Sequence, residues 1–217
     1  MSYKKKAIVL LSGGLDSGTL LYWAKQKFTC TAITFDYGQK HKKEITYAKK
    51  IAHKAGCPWM QIKLYLPVLK SSLTDARFTI PRGDSRRAGK KKIPSTYVPG
   101  RNTIFLSYAV SLAESWGCTD VCIGANAVDY SGYPDCRPDY IKAMQYAACL
   151  GTKTGREGNP IHISAPLIRK TKAEIITLGR RLHVPFDLTW SCYRGGEKPC
   201  GKCDACILRE KGFKEAG

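Results

Sequence analysis

The stretch Leu11-Ser12-Gly13-Gly14-Leu15-Asp16-Ser17 constrains this chain more than any other, because its glycine pair joins the apolar run Lys6 to Leu11 to a helical pattern from Asp16 to Gln26. A buried strand that turns into a helix through two glycines brings backbone N–H groups and the positive end of the helix dipole to one point. That arrangement is a cradle for phosphate. The loop lacks the lysine and longer spacing of a Walker sequence, and it lacks the three-glycine dinucleotide fingerprint. The ordinary alternative is a plain strand-to-helix turn. An aspartate beside phosphates would repel them, so Asp16 either caps the helix, orients the loop or holds magnesium.

Further apolar runs at Thr29 to Phe35, Trp59 to Leu64, Asp120 to Gly124 and Ile161 to Ile163 alternate with helical patterns at His41 to Ala55 and from Thr103, Asp139 and Thr171. In the first of these helices Ile45, Ala48, Ile51, Ala52 and Ala55 share one face and lysines the other. This rhythm predicts an α/β fold with a doubly wound, parallel, five-stranded sheet, and ligands in the crevice beyond the carboxyl ends of the strands. A length of 217 residues with 43% hydrophobic content suffices for one sizeable core. The expected organisation is an α/β domain over 1–187 with a small segment, 188–217, packed on it.

Three polar stretches fall where those strand ends should lie. Asp36-Tyr37-Gly38-Gln39-Lys40-His41 follows the second strand, as a nucleotide edge or a capped turn; His41 reads equally as a helix start. The irregular stretch Tyr65 to Gly100 exceeds ordinary loop length and ends in Pro94-Ser95-Thr96-Tyr97-Val98-Pro99-Gly100-Arg101-Asn102, which delivers a guanidinium and an amide to a helix start. Asp129-Tyr130-Ser131-Gly132-Tyr133-Pro134-Asp135-Cys136-Arg137 combines carboxylates, aromatic faces and a second guanidinium, as a pocket for a flat polar ring would. Each loop alone reads equally well as structural.

Cys192, Cys200, Cys203 and Cys206 are spaced C-x7-C-x2-C-x2-C among Gly195, Gly196 and Gly201. Four thiolates this close, on loops that glycine lets wrap, point to a structural zinc ion with no open coordination position; an iron–sulfur cluster or a disulfide pair are the rival readings. Cys30, Cys57, Cys118, Cys122, Cys136 and Cys149 lack ligand spacing and read mostly as small core residues. Lysines precede only a short apolar run that is itself the first strand, so neither a signal peptide nor a membrane span is expected. A cytoplasmic protein with reduced thiols follows as the expectation. The formal charge of +19 attracts polyanions, yet no nucleic-acid module is present, and the Arg82 to Lys92 cluster reads as a solvated loop.

The Ser12-Gly13-Gly14-Leu15-Asp16-Ser17 loop resembles the S-G-G-x-D-S loop of the PP-loop ATP pyrophosphatases. Together with Val98-Pro99-Gly100-Arg101-Asn102, Ser131-Gly132-Tyr133-Pro134-Asp135-Cys136-Arg137 and the Trp190-Ser191-Cys192-Tyr193 block with its cysteine tail, it makes the whole chain resemble the 7-cyano-7-deazaguanine synthase family. The resemblance implies ATP-dependent conversion of 7-carboxy-7-deazaguanine and ammonia to the nitrile, through an activated carboxylate and an amide, for queuosine or other 7-deazapurine biosynthesis. It implies a C–N bond-forming ligase, a homodimer, one structural zinc per chain and ATP with magnesium; the sequence leaves open whether AMP or ADP is released, with PP-loop geometry favouring AMP and pyrophosphate.

Carried over by position, ATP falls to Leu11, Ser12, Gly13, Gly14, Leu15, Asp16, Ser17, Gly18, Thr19, Leu20 and Leu21. Catalysis falls to Asp16, Ser17 and Arg101. The substrate falls to Arg101, Asn102, Asp129, Ser131, Gly132, Tyr133, Asp135 and Arg137, and zinc to the four tail cysteines. Family members commonly carry two threonines after the final loop serine, where this chain has Gly18-Thr19. Cys136 is expected to pack or line the substrate rather than act as a nucleophile, since no neighbouring histidine activates it. Two rivals remain: a PP-loop enzyme that modifies tRNA directly, and a zinc-containing nucleic-acid module with a vestigial nucleotide fold.

Overall fold

Alternation along the first strand decides the architecture. In β1 (Lys6–Leu10), Ala7 and Val9, followed by Leu11, enter one core layer with Leu20, Leu21, Ile51, Ile175 and Ile176. Ile8 and Leu10 enter the opposite layer with Leu106, Val110, Ile141 and Ile163. A strand apolar on both faces belongs in the middle of a sheet covered on both sides.

The computed structural model describes residues 4–66, 70–83, 93–126 and 132–217. Their five strands are β1, β2 (Thr29–Asp36), β3 (Trp59–Lys63), β4 (Asp120–Cys122) and β5 (His162–Ser164), in the order β3-β2-β1-β4-β5. Every pairing is parallel, with Val9 opposite Ala32 on one side of β1 and opposite Cys122 on the other. The order reverses at β1, so a crevice opens between the carboxyl ends of β1 and β4, the place where such sheets bind ligands.

Helices α1 (Leu15–Lys27), α2 (Lys43–Lys54), α3 (Arg101–Trp116), α4 (Pro138–Gly151), α5 (Lys172–Arg181) and α6 (Asp204–Glu215) complete the fold, beside a single turn at Lys153–Arg156. The doubly wound sheet is the expected one; several boundaries differ. Helix α2 begins at Lys43 rather than His41, and Lys42 holds the cap position. His41 instead lies against Gly195, so close that a Cβ there would stand 2.4 Å from its imidazole ring. Helix α3 begins at Arg101, two residues before Thr103, which puts Arg101 and Asn102 in its first turn. Helix α5 starts where expected because Thr171 and Glu174 form a reciprocal capping box. β4 stops at Cys122, and the residues to Asn126 run as an irregular arm into the crevice.

The C-terminal segment is not detached. Phe213 and Ala216 pack against the same core layer as α1 and α2, and the Trp190 N–H donates to the Gly13 carbonyl at 2.8 Å. Among the described residues no helix is long and apolar enough to cross a membrane.

Candidate active site

The glycine pair can turn only because nothing occupies the space of a first side chain. Gly13 has φ +83°, and a Cβ there would stand 2.1 Å from the Glu44 carbonyl oxygen and 2.7 Å from the Ala48 nitrogen. The turn is thus wedged against α2. Above it the hydroxyls organise the loop: Ser17 Oγ lies 3.0 Å from Ser12 Oγ and accepts from the Ser12 N–H at 3.2 Å. It also donates to the Gly14 carbonyl at 3.2 Å. Leu11, Ser12, Gly14, Leu15, Asp16 and Ser17 line a cavity of about 270 Å³.

The rest of the expected ATP segment lies beneath this surface. Leu20 and Leu21 are core residues, and the buried Thr19 hydroxyl donates to the Leu15 carbonyl at 3.0 Å, so it serves the helix. A Cβ on Gly18 would come within 2.7 Å of Ile51 Cδ1 and 3.3 Å of Thr189 Cγ2. The missing hydroxyl at this position therefore reflects packing.

Asp16 does not cap α1; Gly14 occupies that position, without a side-chain cap. The Asp16 Oδ2 instead pairs with Lys172 Nζ at 2.5 Å and accepts from Asn126 Nδ2 at 3.2 Å, joining the ends of β1 and β4 to the start of α5. Its Oδ1 is buried and makes no hydrogen bond among the described residues. A buried carboxylate oxygen without a partner is costly. Oxygen donors of this kind suit a hard divalent cation.

On the opposite wall, Arg101 reaches from the first turn of α3, its Nη1 donating to Tyr37 Oη at 3.4 Å and its plane 5.8 Å above the Tyr37 ring. Its Nε is buried and has no hydrogen-bond partner among the described residues. Asp135, on a short turn at Pro134–Cys136, accepts from the Asn102 N–H at 2.9 Å, while Asn102 Nδ2 donates to the Asp135 carbonyl at 3.1 Å. Asp135 thus supplies the acid that the first turn of α3 lacks. Tyr133 Oη and Thr96 Oγ1 are 2.8 Å apart, which ties the loop after β4 to the segment before α3. Thr96, Arg101, Asn102, Tyr133, Asp135 and Cys136 all line the same cavity as the glycine loop.

Arg137 stands elsewhere: its side chain is 59% exposed and faces Asp139 at 3.8 Å. Gly132 packs beside Pro94. Asp129 and Ser131, and all of the basic cluster beyond Gly83, lie outside the described residues.

Cys192, Cys200, Cys203 and Cys206 bring their sulfurs within 4.8 Å of one another, with Cys203 and Cys206 3.5 Å apart. Around one tetrahedral zinc the S···S separation is about 3.8 Å, so the four thiols fit a single ion. All ten cysteines are free thiols in this structure. Cys203 precedes α6 and Cys206 lies in its first turn; the helix dipole there favours thiolate, but burial outweighs it and raises both thiols. Burial raises Cys200, but the backbone N–H groups of Lys202 and Cys203 more than offset it and bring the thiol down to about 6. Of the other cysteines only Cys149 is not buried.

Three cavity residues were not singled out in the sequence. Lys172 was signalled by its cation in a helix's first turn, against the dipole. Glu44 is the lone acid at the start of lysine-rich α2. Arg209, on α6, carries no signal; only folding brings its guanidinium to Thr189 Oγ1 at 2.8 Å and Ser191 Oγ at 3.3 Å.

A family model described as Queuosine biosynthesis protein QueC matches residues 6–217. The chain belongs to the QueC family. Relatives within reach of QueC include a 7-cyano-7-deazaguanine synthase from Nostoc sp., 54% identical over 98% of this chain and 94% of its own length. Synthases of the same name from Leptospira interrogans and Thermoplasma acidophilum are 53% and 52% identical, over 100% and 99% of this chain and 89% and 90% of theirs. An NMN synthetase from Francisella tularensis shares the QueC fold, with a TM-score of 0.50 at 12% identity over 100% of this chain and 88% of its own.

Gly13→Ala should lower the unfolding free energy by at least about 2 kcal/mol, since left-handed strain and overpacking combine. Gly38 has the similar φ of +86° with nothing within 4 Å of a Cβ, so Gly38→Ala should cost only the strain, about 1–2 kcal/mol. Urea denaturation of both variants checks the difference.

Proposed function

We propose that this chain is a 7-cyano-7-deazaguanine synthase: it joins 7-carboxy-7-deazaguanine and ammonia, at the expense of ATP, into the nitrile that feeds queuosine or related 7-deazapurine synthesis. The observation that carries this reading is the meeting of the phosphate loop and the ring-binding loops in one cavity, in a chain about half identical over its full length to synthases of that name. A carboxylate oxygen is a poor leaving group, so ATP first converts it to an adenylate with loss of pyrophosphate. Ammonia displaces AMP to give the amide, and a second adenylation of the amide oxygen precedes loss of AMP and formation of the nitrile.

In this reading Ser12, Gly14 and Ser17 hold the pyrophosphate end of ATP, and Lys172 and Arg101 counter the charge that develops as the phosphate bond breaks. Gly13, Gly18, Thr19, Leu20 and Leu21 support that loop from below. Asn102, Tyr133 and Asp135 orient the deazaguanine ring, with Asp129, Ser131 and Gly132 contributing from the same loop. The base is anchored on a different wall from the nucleotide, so AMP can leave and a second ATP enter while the amide stays in place. Asp16 Oδ1 would hold magnesium, which supplies neutralisation of phosphate charge. The four tail cysteines would hold one structural zinc ion; sulfurs gathered this closely suit a single ion better than a multi-iron cluster. The reading includes a cytoplasmic homodimer whose 188–217 segment is part of one domain with 1–187.

Wild-type protein given 7-carboxy-7-deazaguanine, ammonium and magnesium-ATP should yield the nitrile and AMP by mass spectrometry. Asp16→Asn and Arg101→Ala should lower turnover by about 100-fold or more while melting near the wild-type temperature. An unchanged base, or specific tRNA binding and modification in its place, would overturn the reading. Cys203→Ser should lose the bound zinc measured by elemental analysis and melt at lower temperature; a stable, zinc-free active variant would contradict the structural role.

A further inference from the structure

Beside the main cavity lies a small, partly open chamber of about 60 Å³, which shares the Glu44, Tyr37, Arg101 and Tyr193 walls with it and is lined further by Gln39 and His41. It has room for a few water-sized molecules and none for a nucleotide or a purine-like ring. Glu44 is the one carboxylate among the described residues lining it. Among those residues the carboxylate accepts a single hydrogen bond, from Gln39 Nε2 to Oε1 at 3.1 Å.

The other cavity carboxylates are committed. Asp16 holds Lys172 and Asn126, and Asp135 holds the Asn102 N–H. The synthase reaction nevertheless demands a proton acceptor. At neutral pH the nitrogen donor is mostly ammonium, which has no lone pair to attack with. From ammonium to amide, nitrogen sheds two protons.

Resting on the synthase reading, we propose that this chamber is the ammonium subsite and that the Glu44 carboxylate takes the proton that converts ammonium to nucleophilic ammonia. Ammonium and the Glu44 carboxylate give ammonia and the Glu44 acid, which returns its proton to chamber water. The nitrogen lone pair then forms the C–N bond at the activated carbonyl carbon. The C–O bond to AMP breaks, with its electron pair leaving on AMP, and the second nitrogen proton passes to the re-ionised carboxylate.

The surroundings favour this direction of transfer. Burial pushes the Glu44 carboxyl up to about 7, against the pull of Arg101 and the hydrogen bond from Gln39, so it both accepts and releases a proton near neutrality. Burial and Lys40 hold His41 below its usual range, and burial raises the Tyr37 phenol, leaving both neutral. Arg101 is cationic and disfavours retention of the ammonium charge. Cys192 on the far wall accepts from the Arg194 and Cys200 N–H groups within its own cluster.

The test is steady-state nitrile formation by full-length wild type and Glu44→Gln, with ammonium varied from neutral to alkaline pH. Failure of the wild type to form nitrile would count against the synthase reading, whereas a difference between two competent proteins addresses Glu44 alone. At pH 7 the variant should lose about 100-fold in kcat/KM for ammonium and keep the wild-type KM for ATP and base. The deficit should shrink as pH rises and free ammonia replaces ammonium. A wild-type kcat/KM for ammonium, or a loss equal at every pH, would overturn the proposal. If Glu44→Gln does not fold, Glu44→Asp is read in the same way: its shorter reach should lower kcat/KM for ammonium with the same recovery at high pH, and an unchanged value overturns the proposal.

Discussion

The contact on which the rest of the structure depends is the wedging of the Gly13 turn against the backbone of α2, at Glu44 and Ala48. It fixes where β1 ends and α1 begins, and with them the Ser12 and Ser17 hydroxyls and the direction in which Asp16 projects. The same turn is held from its other side by the Trp190 N–H, 2.8 Å from the Gly13 carbonyl. Trp190 in turn donates its indole N–H to the Cys192 carbonyl at 2.9 Å. The cysteine cluster is thus one residue contact removed from the glycine loop, so a metal held there would bear on the geometry of that loop.

Charge is distributed to the same end. A chain of net charge +19 has no difficulty attracting ATP; its difficulty is to keep specific cations at specific places. Asp16 does this for Lys172, pairing with it where the Lys172 side chain is only 14% exposed. Arg101 is held by aromatic faces instead, over Tyr37 and Phe105 at 5.8 and 5.9 Å. Apart from the Nη1 bond to Tyr37 Oη, stacking consumes none of its donors, where a carboxylate partner would have. The result is a cavity with Lys172 and Arg101 on two walls, lined also by Asp16, Glu44 and Asp135.

Most of this was legible in the sequence wherever local pattern and function coincide. The strand–glycine–helix junction, the β-α-β rhythm and the four-cysteine spacing each depend on near neighbours, and each has the expected form. Boundaries slipped where tertiary contacts override pattern: α3 starts early because Asp135 receives the Asn102 N–H across the crevice, and α2 starts late, with His41 drawn toward Gly195. Thr19 could not be told from a ligand-facing hydroxyl until its bond to the Leu15 carbonyl was seen. Arg209 and Glu44 reach the cavity through packing between elements far apart in sequence, which no local period encodes.

The central claim is that one cavity holds nucleotide and base on opposite walls. The most direct measurement is a crystal structure of the protein with a non-hydrolysable ATP analogue, magnesium and 7-carboxy-7-deazaguanine together. The account predicts phosphates against Ser12, Gly14 and Ser17 and the deazaguanine ring against Asn102, Tyr133 and Asp135, with its carboxylate turned toward the nucleotide. A base bound outside that cavity, or phosphates held away from the glycine loop, would contradict it.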